Sequence, residues 1–362
     1  MDLDEFLTLA DGLLRIPSTA DRPAELAKAL EHVLAVVGPG VTTERFESGG
    51  KPSALVYRGA RRPEFRVLLN AHLDVVPGTP EQFEPRREGS RLYARGAQDM
   101  KLSALVLALV FRDVPTSFPL GLQLVTDEEV GGRDGTGHQL DQGVAARFAV
   151  IGEHSALRLV TESKGLVDAR VDATGLAAHS AYPWLGDNAL VRLLRAVDAL
   201  LDAYPVPTSE QWRTTVNVAR VETSNAALNQ VPADASAWLD IRFPAEDADF
   251  AGRDADEVAR HLSALCGLPV EVGACEPPHR ADPDGPDVLA LRAAARAQGY
   301  SGDLLRKHGA ADSRYFHQRG VDAVIFGVGG DGQHGPDEHA DLDTVLPYYR
   351  ALRDYLRSLP DA

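Results

Sequence analysis

Helix-like and strand-like segments alternate along most of this chain, and this order restricts its fold more than any other feature. The first 150 or so residues contain predicted helices at Pro23 to Val37 and Lys101 to Arg112, and apolar strands at Ser53 to Arg58, Phe65 to Ala71 and Leu120 to Thr126. Such alternation predicts an α/β domain with a mostly parallel central sheet. Ligands of these sheets gather beyond the carboxyl ends of the strands.

A different order begins near residue 164. The predicted elements are strands at 166–173, 214–221, 235–242 and 269–274, with helices at 188–203 and 254–265. This β-α-β-β-α-β order predicts a ferredoxin-like α+β layer. After a proline-rich stretch at 276–286, a helix at 288–298 and a strand at 323–327 resume the α/β pattern. We therefore expect a catalytic domain formed by residues 1–163 and 278–362, interrupted by an inserted domain at 164–277.

Charge and cysteine content exclude several classes of protein. Lys and Arg number 37 against 53 Asp and Glu, which gives a formal net charge of -16. This charge would repel nucleic acid and anionic membranes, so neither is an expected partner. Only Cys266 and Cys275 occur, which is too few for a disulfide scaffold or a thiolate metal cage. No basic segment precedes an apolar leader and no apolar run has the length of a membrane span, so we expect a cytoplasmic protein.

Chemistry-bearing side chains follow the predicted strands in four clusters. These are Asn70-Ala-His72-Leu-Asp74, Arg95-Gly-Ala-Gln-Asp99, Thr126-Asp-Glu128-Glu129, and Gly327-Val-Gly-Gly-Asp-Gly-Gln-His334-Gly-Pro-Asp-Glu338-His339. The period-2 geometry of a strand points His72 and Asp74 to one face, where a carboxylate can orient a metal-binding imidazole. Any one histidine taken alone is as readily structural, so the joint pattern carries the prediction.

Two imidazoles and several carboxylates without thiolates indicate a pair of zinc-like divalent ions rather than a structural zinc knot. Two such ions can activate a water and polarise a carbonyl. Neighbouring side chains diverge, so one of Glu128 and Glu129 can bind metal while the other accepts a proton from the water.

Together these motifs resemble the M20 metallopeptidase and deacylase family, which includes acetylornithine deacetylase, succinyl-diaminopimelate desuccinylase, aminoacylase and the carboxypeptidase G type enzymes. The resemblance runs from about Leu14-Arg-Ile-Pro-Ser18 to the carboxyl terminus. It implies a zinc-exopeptidase-like catalytic domain and gives the insert the role of a lid and dimerisation domain.

The resemblance also implies roles for individual residues. It implies His72 and Glu153 as ligands of one ion, His334 as a ligand of the other, Glu129 as a further ligand, and Asp99 as the bridging carboxylate. Glu128 would be the general base and Asp74 would steady His72. A cis peptide between Asp99 and Met100 is carried over in the same way.

The insert carries a further part of the resemblance, in Gly175-Leu-Ala-Ala-His179-Ser-Ala-Tyr-Pro183. There the family's histidine reaches the partner subunit's site and hydrogen-bonds the developing oxyanion, although His179 could simply cap a turn. Asn229, Arg242 and Arg314 match substrate-binding positions, and the two arginines could equally be ordinary ion-pair partners.

The sequence departs from the family pattern at a few places. His154 stands where the family often has Pro, Leu102-Ser103 where it often has Gly-Gly, and Gly309-Ala-Ala311 where Gly-Gly-Thr is common. None of these changes removes an implied ligand or the implied base.

We therefore expect a homodimeric hydrolase with two divalent ions, zinc first and cobalt or manganese as alternatives. The expected substrate is the amide bond of an N-acyl amino acid, as in acetylornithine deacetylase. The alternative is a dipeptidase or carboxypeptidase acting on short peptides, which would use the same metal site. A catalytically silent binding homologue is the remaining hypothesis, and the intact Glu128 argues against it.

Overall fold

A computed structural model describes residues 1–61, 63–115 and 118–360 of the chain. The helices are α1 Leu3–Leu14, α2 Pro23–Val37, α3 Leu102–Asp113, α4 His138–Asp141, α5 Ala189–Ala203, α6 Ala255–Cys266, α7 Pro286–Ala297, α8 Ser313–His317 and α9 Leu342–Ser358. The strands are β1 Thr42–Ser48, β2 Lys51–Tyr57, β3 Val67–His72, β4 Arg86–Glu88, β5 Arg91–Tyr93, β6 Leu120–Val125, β7 Phe148–Ile151, β8 Leu159–Ser163, β9 Gly165–Thr174, β10 Thr215–Glu222, β11 Asp234–Phe243, β12 Val270–Glu276, β13 His279–Arg280, β14 Leu304–Lys307, β15 Asp322–Ile325, β16 Gly329–Asp331 and β17 His339–Asp341.

The chain forms two compact units. The first comprises Met1–Thr161, Arg280–Arg306 and Ala311–Ala362, and the second comprises Glu162–His279 and Lys307–Ala310. The predicted division at residues 163/164 and 277/278 stays a proposal about domains. It assigns residues 307–310 to the catalytic domain, whereas in the structure they cluster with the second unit.

The first unit is built on a large mixed sheet with strand order β1-β2-β6-β3-β7-β15-β8. Its centre is parallel, since β3 pairs in parallel with β6 and β7, and β7 with β15. Every residue of β3, β6 and β7 is buried, as expected for strands covered on both faces. The α/β fold with a mostly parallel central sheet is therefore confirmed.

The first unit also contains a second, smaller sheet that the sequence analysis did not predict. Its strands follow the order β16-β17-β5-β4 and pair antiparallel. The chain runs from β5 to Asp99 and from β16 to His334. Both strands belong to this small sheet, with β17 between them, so the segments of Asp99 and His334 begin at the same sheet.

The second unit is an antiparallel sheet with order β10-β11-β9-β12 and two helices, α5 and α6. Burial alternates residue by residue along β9 and β11, so one face of the sheet packs against the core with α5 and α6. The Asn188 side chain caps α5, and a capping box of Asp254 and Glu257 begins α6. The predicted ferredoxin-like order is confirmed.

Within residues 1–61, 63–115 and 118–360, no helix combines the length and apolar character needed to cross a bilayer.

Candidate metal centre

Four of the candidate side chains lie where central parallel strands end. His72 is the last residue of β3, Glu128 and Glu129 follow β6, and Glu153 follows β7. Since these strands are parallel, their carboxyl ends share one edge of the sheet. Asp99 comes from the segment before α3, where the Asp99–Met100 peptide is cis, as the resemblance implied.

Asp99 lies between the two histidines. His72 Nε2 is 3.1 Å from Asp99 Oδ1, and His334 Nε2 is 3.4 Å from Asp99 Oδ2. His72 Nε2 is also 3.3 Å from Glu153 Oε1, and His334 Nε2 is 3.1 Å from Glu129 Oε2. The structure thus brings together all five side chains proposed as metal ligands, with the two oxygens of one carboxylate facing opposite ways.

The candidate donors divide into groups compact enough to surround single ions. His72, Glu128 and Glu153 form one group, and Asp99, Glu129 and His334 another, with the ligand atoms of each group within 4.8 Å of one another. Nitrogen and carboxylate donors without sulfur suit zinc-like or harder divalent ions. The donor set therefore fits the pair of ions that the resemblance implies.

The charges of the cluster favour added positive charge. Burial alone would lower the pKa of His72, but Asp74, Asp99 and Glu153 raise it well above its ordinary value. Hydrogen bonds to Asp99 and Glu129 raise the pKa of His334 to about 10. In turn the imidazoles hold the pKa of Asp99 well below its usual range despite burial. The negative charges that raise the pKa of both imidazoles would equally stabilise bound metal cations.

Asp74 is fully buried beneath this cluster. Its carboxylate lies 3.6 Å from His72 Nδ1 and accepts the backbone N–H groups of Glu128 and Glu129 at 3.2 and 2.9 Å. His72 Nδ1 itself lies 3.0 Å from the Asp74 carbonyl oxygen. Asp74 therefore contacts the backbone of both glutamates as well as the imidazole that it was predicted to steady.

Glu128 combines access to the cluster with a perturbed acidity. Its carboxylate belongs to the group around His72, while the residue stays partly exposed. Burial of the carboxylate, reinforced by the Glu153 charge, raises the pKa of Glu128 well above its ordinary value. A carboxylate with raised proton affinity beside a cation site has the properties of a general base.

Several residues around the cluster were not predicted. The Gln333 side chain donates to Asp99 Oδ2, and His154 forms a third compact group with Asp99 and Glu153. Glu338 and Arg95 tie the backbones that carry Asp99 and His334. All four are next to predicted ligands or inside the quoted motifs, so proximity to those motifs was the available signal. Their contacts depend on tertiary structure.

Arg314 holds the loop that carries the two glutamates. It is buried, donates to the Gly131 carbonyl at 2.6 Å and stacks on the Tyr315 ring, with 4.6 Å from Cζ to the ring centroid. Nearby, the buried Asp312 carboxylate accepts a hydrogen bond from Thr136. Arg314 thus contacts both the Gly131 backbone and the Tyr315 side chain.

The remaining predicted residues belong to the second unit. His179 and Asn229 are exposed, and His179 forms an isolated bridge with Gln230. Arg242 makes a bidentate ion pair with Asp240, at 2.8 Å on both arms. Their roles toward substrate stay predictions.

Comparison with known proteins identifies the family. The profile of peptidase family M20/M25/M40 matches residues 68–358, most of the chain and all of the proposed ligands. The chain belongs to this family. It is accordingly a metal-dependent hydrolase of amide bonds, and M20 metallopeptidases use divalent metals.

Individual M20 relatives agree with this assignment. Succinyl-diaminopimelate desuccinylase of Acidiphilium cryptum is 31% identical over 369 residues, which cover 96% of this chain and 97% of the relative. A probable carboxypeptidase of Aspergillus terreus is 33% identical over 79% of this chain and 70% of its own. The M20 metallo-carboxypeptidase Sso-CP2 of Sulfolobus solfataricus shares the fold, with a TM-score of 0.79, 18% identity and 99% coverage of both chains.

Proposed function

We propose that the protein hydrolyses the amide bond of an N-acyl amino acid, using two divalent ions with zinc as the first candidate. The observation that carries this proposal is the position of Asp99, whose two carboxylate oxygens face His72 and His334 separately. A carboxylate in this position can bridge two ions, each of which then has its own imidazole and its own glutamate.

His72 and Glu153 would hold one ion and His334 and Glu129 the other, with Asp99 shared between them. When bound, such ions lower the pKa of a nearby water and polarise the substrate carbonyl. Asp74 would fix the position of His72 relative to the loop of Glu128 and Glu129 through its contacts with both.

Glu128 acts as the general base. Its raised pKa makes it a good acceptor for the proton of the attacking water. After the water oxygen has bonded to the carbonyl carbon, Glu128 gives that proton to the leaving nitrogen as the C–N bond breaks. The products are a free carboxylate and a free amine, and Glu128 returns to its starting state.

His179 is proposed to stabilise the oxyanion from a partner subunit in a homodimer formed through the second unit. The Ala181 backbone N–H donates to His179 Nδ1 at 3.1 Å, so in the neutral ring Nε2 carries the proton. An exposed Nε2–H is a suitable donor to a developing oxyanion. The neighbouring Tyr182, Trp184 and Leu185 are all more than half exposed, and a group of exposed apolar side chains favours a contact with another chain.

Deacylation is favoured over peptide cleavage by the extent of the alignments. The desuccinylase relatives match 96–98% of this chain and nearly all of their own length. Substrate contacts by Asn229, Arg242 and Arg314 belong to this proposal. For Arg242, binding a substrate carboxylate would require exchange of its present partner, Asp240.

Peptidase activity is the second candidate, because the carboxypeptidase relative from Aspergillus terreus has the higher identity, 33%, over a shorter alignment. Both reactions fit the same cluster of donors. The acyl pocket would decide between them.

The test is hydrolysis of a substrate panel by the zinc- and cobalt-loaded enzyme. The panel contains N-acetyl and N-succinyl amino acids, with ornithine and diaminopimelate among them, and dipeptides with free carboxylates. We expect the highest kcat/KM on an N-acyl amino acid. The Glu128→Gln variant should keep its metal and lose on the order of a hundredfold or more in kcat, whereas Glu47→Gln, at an exposed position, should behave as wild type. A preference for dipeptides would select the second candidate, and full activity of Glu128→Gln would overturn the mechanism.

A further inference from the structure

Glu338 is a buried carboxylate that none of the proposed catalytic roles uses. Its residue is only 2% exposed. Oε1 accepts the backbone N–H groups of Gly96, Gln98 and Asp99, at 2.9, 3.2 and 3.2 Å. Oε2 accepts a hydrogen bond from the Arg95 guanidinium. A single side chain therefore gathers three N–H groups of the segment from which the Asp99 carboxylate extends.

The same pair also reaches the segment that carries His334. Arg95 Nη2 donates to the His334 carbonyl oxygen at 3.1 Å. Backbone hydrogen bonds join the two segments a second time, because the Ala94 N–H donates to the Glu338 carbonyl at 3.2 Å. His334 has a φ of 61°, in the left-handed region that non-glycine residues seldom adopt, so its backbone depends on such surrounding contacts.

Charge is what makes this arrangement effective. A buried carboxylate is costly unless donors surround it, and here three backbone N–H groups and one guanidinium do so. Hydrogen bonds to an ionised acceptor are roughly twice as strong as neutral ones. The Glu338–Arg95 pair thus connects the backbone of Asp99, the proposed bridging ligand, with the backbone of His334, a proposed ligand of one ion.

We propose that Glu338, acting through Arg95, is a positioning residue that sets the separation of Asp99 and His334 and so makes the ion position between Asp99, Glu129 and His334. The inference rests on the proposed function, since it takes those residues as ligands. Ligand-supporting partners of this kind typically contribute 10–100-fold to metal affinity or activity. The position at His72 and Glu153 should depend on Glu338 less, because neither residue is tied to it directly.

The experiment titrates Co²⁺ into metal-free wild type, Glu338→Gln and Arg95→Lys, and follows the visible absorption of cobalt together with calorimetric affinity. Wild type should bind two ions. Glu338→Gln should bind the first nearly as wild type and the second 10–100-fold more weakly, with an altered cobalt spectrum. Arg95→Lys should show a smaller loss, because lysine keeps a charge for Glu338 but lacks the second arm that reaches the His334 carbonyl.

A matched control is Asp287→Asn, which breaks the largely buried pair of Asp287 with Arg66 at 2.8 Å, away from the ligand segments. A purely structural role for Glu338 would lower the thermal midpoint of both variants and leave the second-ion affinity of folded protein unchanged. Titrations are therefore run well below each midpoint, and Arg95→Lys serves if Glu338→Gln does not fold.

Steady-state kinetics complete the test. The positioning role predicts that kcat falls at fixed cobalt while KM changes little, and that excess cobalt restores part of kcat. Two wild-type-like ion affinities in a folded Glu338→Gln or Arg95→Lys variant would overturn the proposal and leave the proposed function standing. Wild type that binds two ions but cleaves nothing in the substrate panel would instead contradict the proposed function alone.

Discussion

Asp74 Oδ2 accepts the backbone N–H of Glu129 at 2.9 Å, so a residue that follows β3 fixes a residue that follows β6. The neighbouring oxygen of Asp74 does the same for Glu128 at 3.2 Å and faces His72 Nδ1 at 3.6 Å. One fully buried carboxylate thus connects the proposed base with a proposed ligand of each ion. This position suggests that Asp74 controls geometry on both sides of the centre.

We predict that Asp74→Asn reduces kcat by about 10–100-fold with partial loss of metal. An amide offers one accepting oxygen in place of two, so one of the two N–H groups loses its acceptor. Metal content by elemental analysis and kcat on the best substrate of the panel check this. Wild-type kcat at full metal loading would show that the carboxylate does not position the site.

A mixing experiment tests whether His179 acts on a partner subunit. His179→Ala should keep its metal and lose on the order of a hundredfold in kcat. If protomers exchange with Glu128→Ala, each mixed dimer holds one site with both its own Glu128 and the partner's His179. Part of the activity should then return, although either variant alone is nearly inactive. Absence of recovery despite demonstrated exchange would restrict His179 to its own chain or to no catalytic role.

Removal of the ions should both abolish activity and destabilise the fold. Asp99, Glu129 and Glu153 crowd around the centre, and ions that bind only the folded protein add about 2.7 kcal/mol of stability at a hundred times their dissociation constant. Chelator should lower the thermal midpoint and added zinc should restore it. The zinc effect should shrink in Glu153→Gln. An identical midpoint with and without zinc would mean that no tight site exists.

The buried Asp312 should make stability fall as pH rises. Burial raises the pKa of Asp312 to about 6, although the Arg314 charge and the Thr136 hydrogen bond oppose the shift. The folded protein therefore binds this proton more tightly than the unfolded chain, where the pKa is about 3.9. The protonated group carries no folding penalty below pH ~4, and the full penalty is present above about pH 6.

Asp312→Asn removes this titration. Relative to wild type, the variant should therefore gain stability between about pH 4 and pH 7, by at most about 3 kcal/mol. Urea unfolding of both proteins in chelator, at several pH values, gives the difference directly. Parallel stability curves would show that Asp312 keeps an ordinary pKa in the folded protein.

Periodic segments were predictable because their local pattern agrees with their tertiary role. The mostly apolar β3 and the alternating β9 indicate a buried and a half-buried strand, and α5 and α6 carry regular apolar faces. The order of strands and helices along the chain then predicts that His72, Glu128 and Glu153 lie at the same edge of the sheet. The candidate site follows from the same reasoning together with the family resemblance.

Short or irregular elements gave no such signal. Strands β4, β5, β16 and β17 have three residues each, too few to display a period of two. Helix α9 contains Pro347, which normally argues against a helix interior. The Glu338–Arg95 connection joins residues 243 positions apart, and only folding brings them together.

Residues Lys307–Ala310 belong to the second unit although they are separated from the rest of it in sequence, and this determines how that unit could be produced alone. In it, the Lys164 N–H donates to the Lys307 carbonyl at 3.3 Å, and the His308 ring meets the Trp212 ring edge-on at 5.4 Å between centroids. A recombinant fragment of residues 162–279 would leave that tryptophan without its histidine neighbour. Appending residues 307–310 through a flexible connector would supply the missing piece, so a gene design for the isolated unit requires two separated stretches of coding sequence.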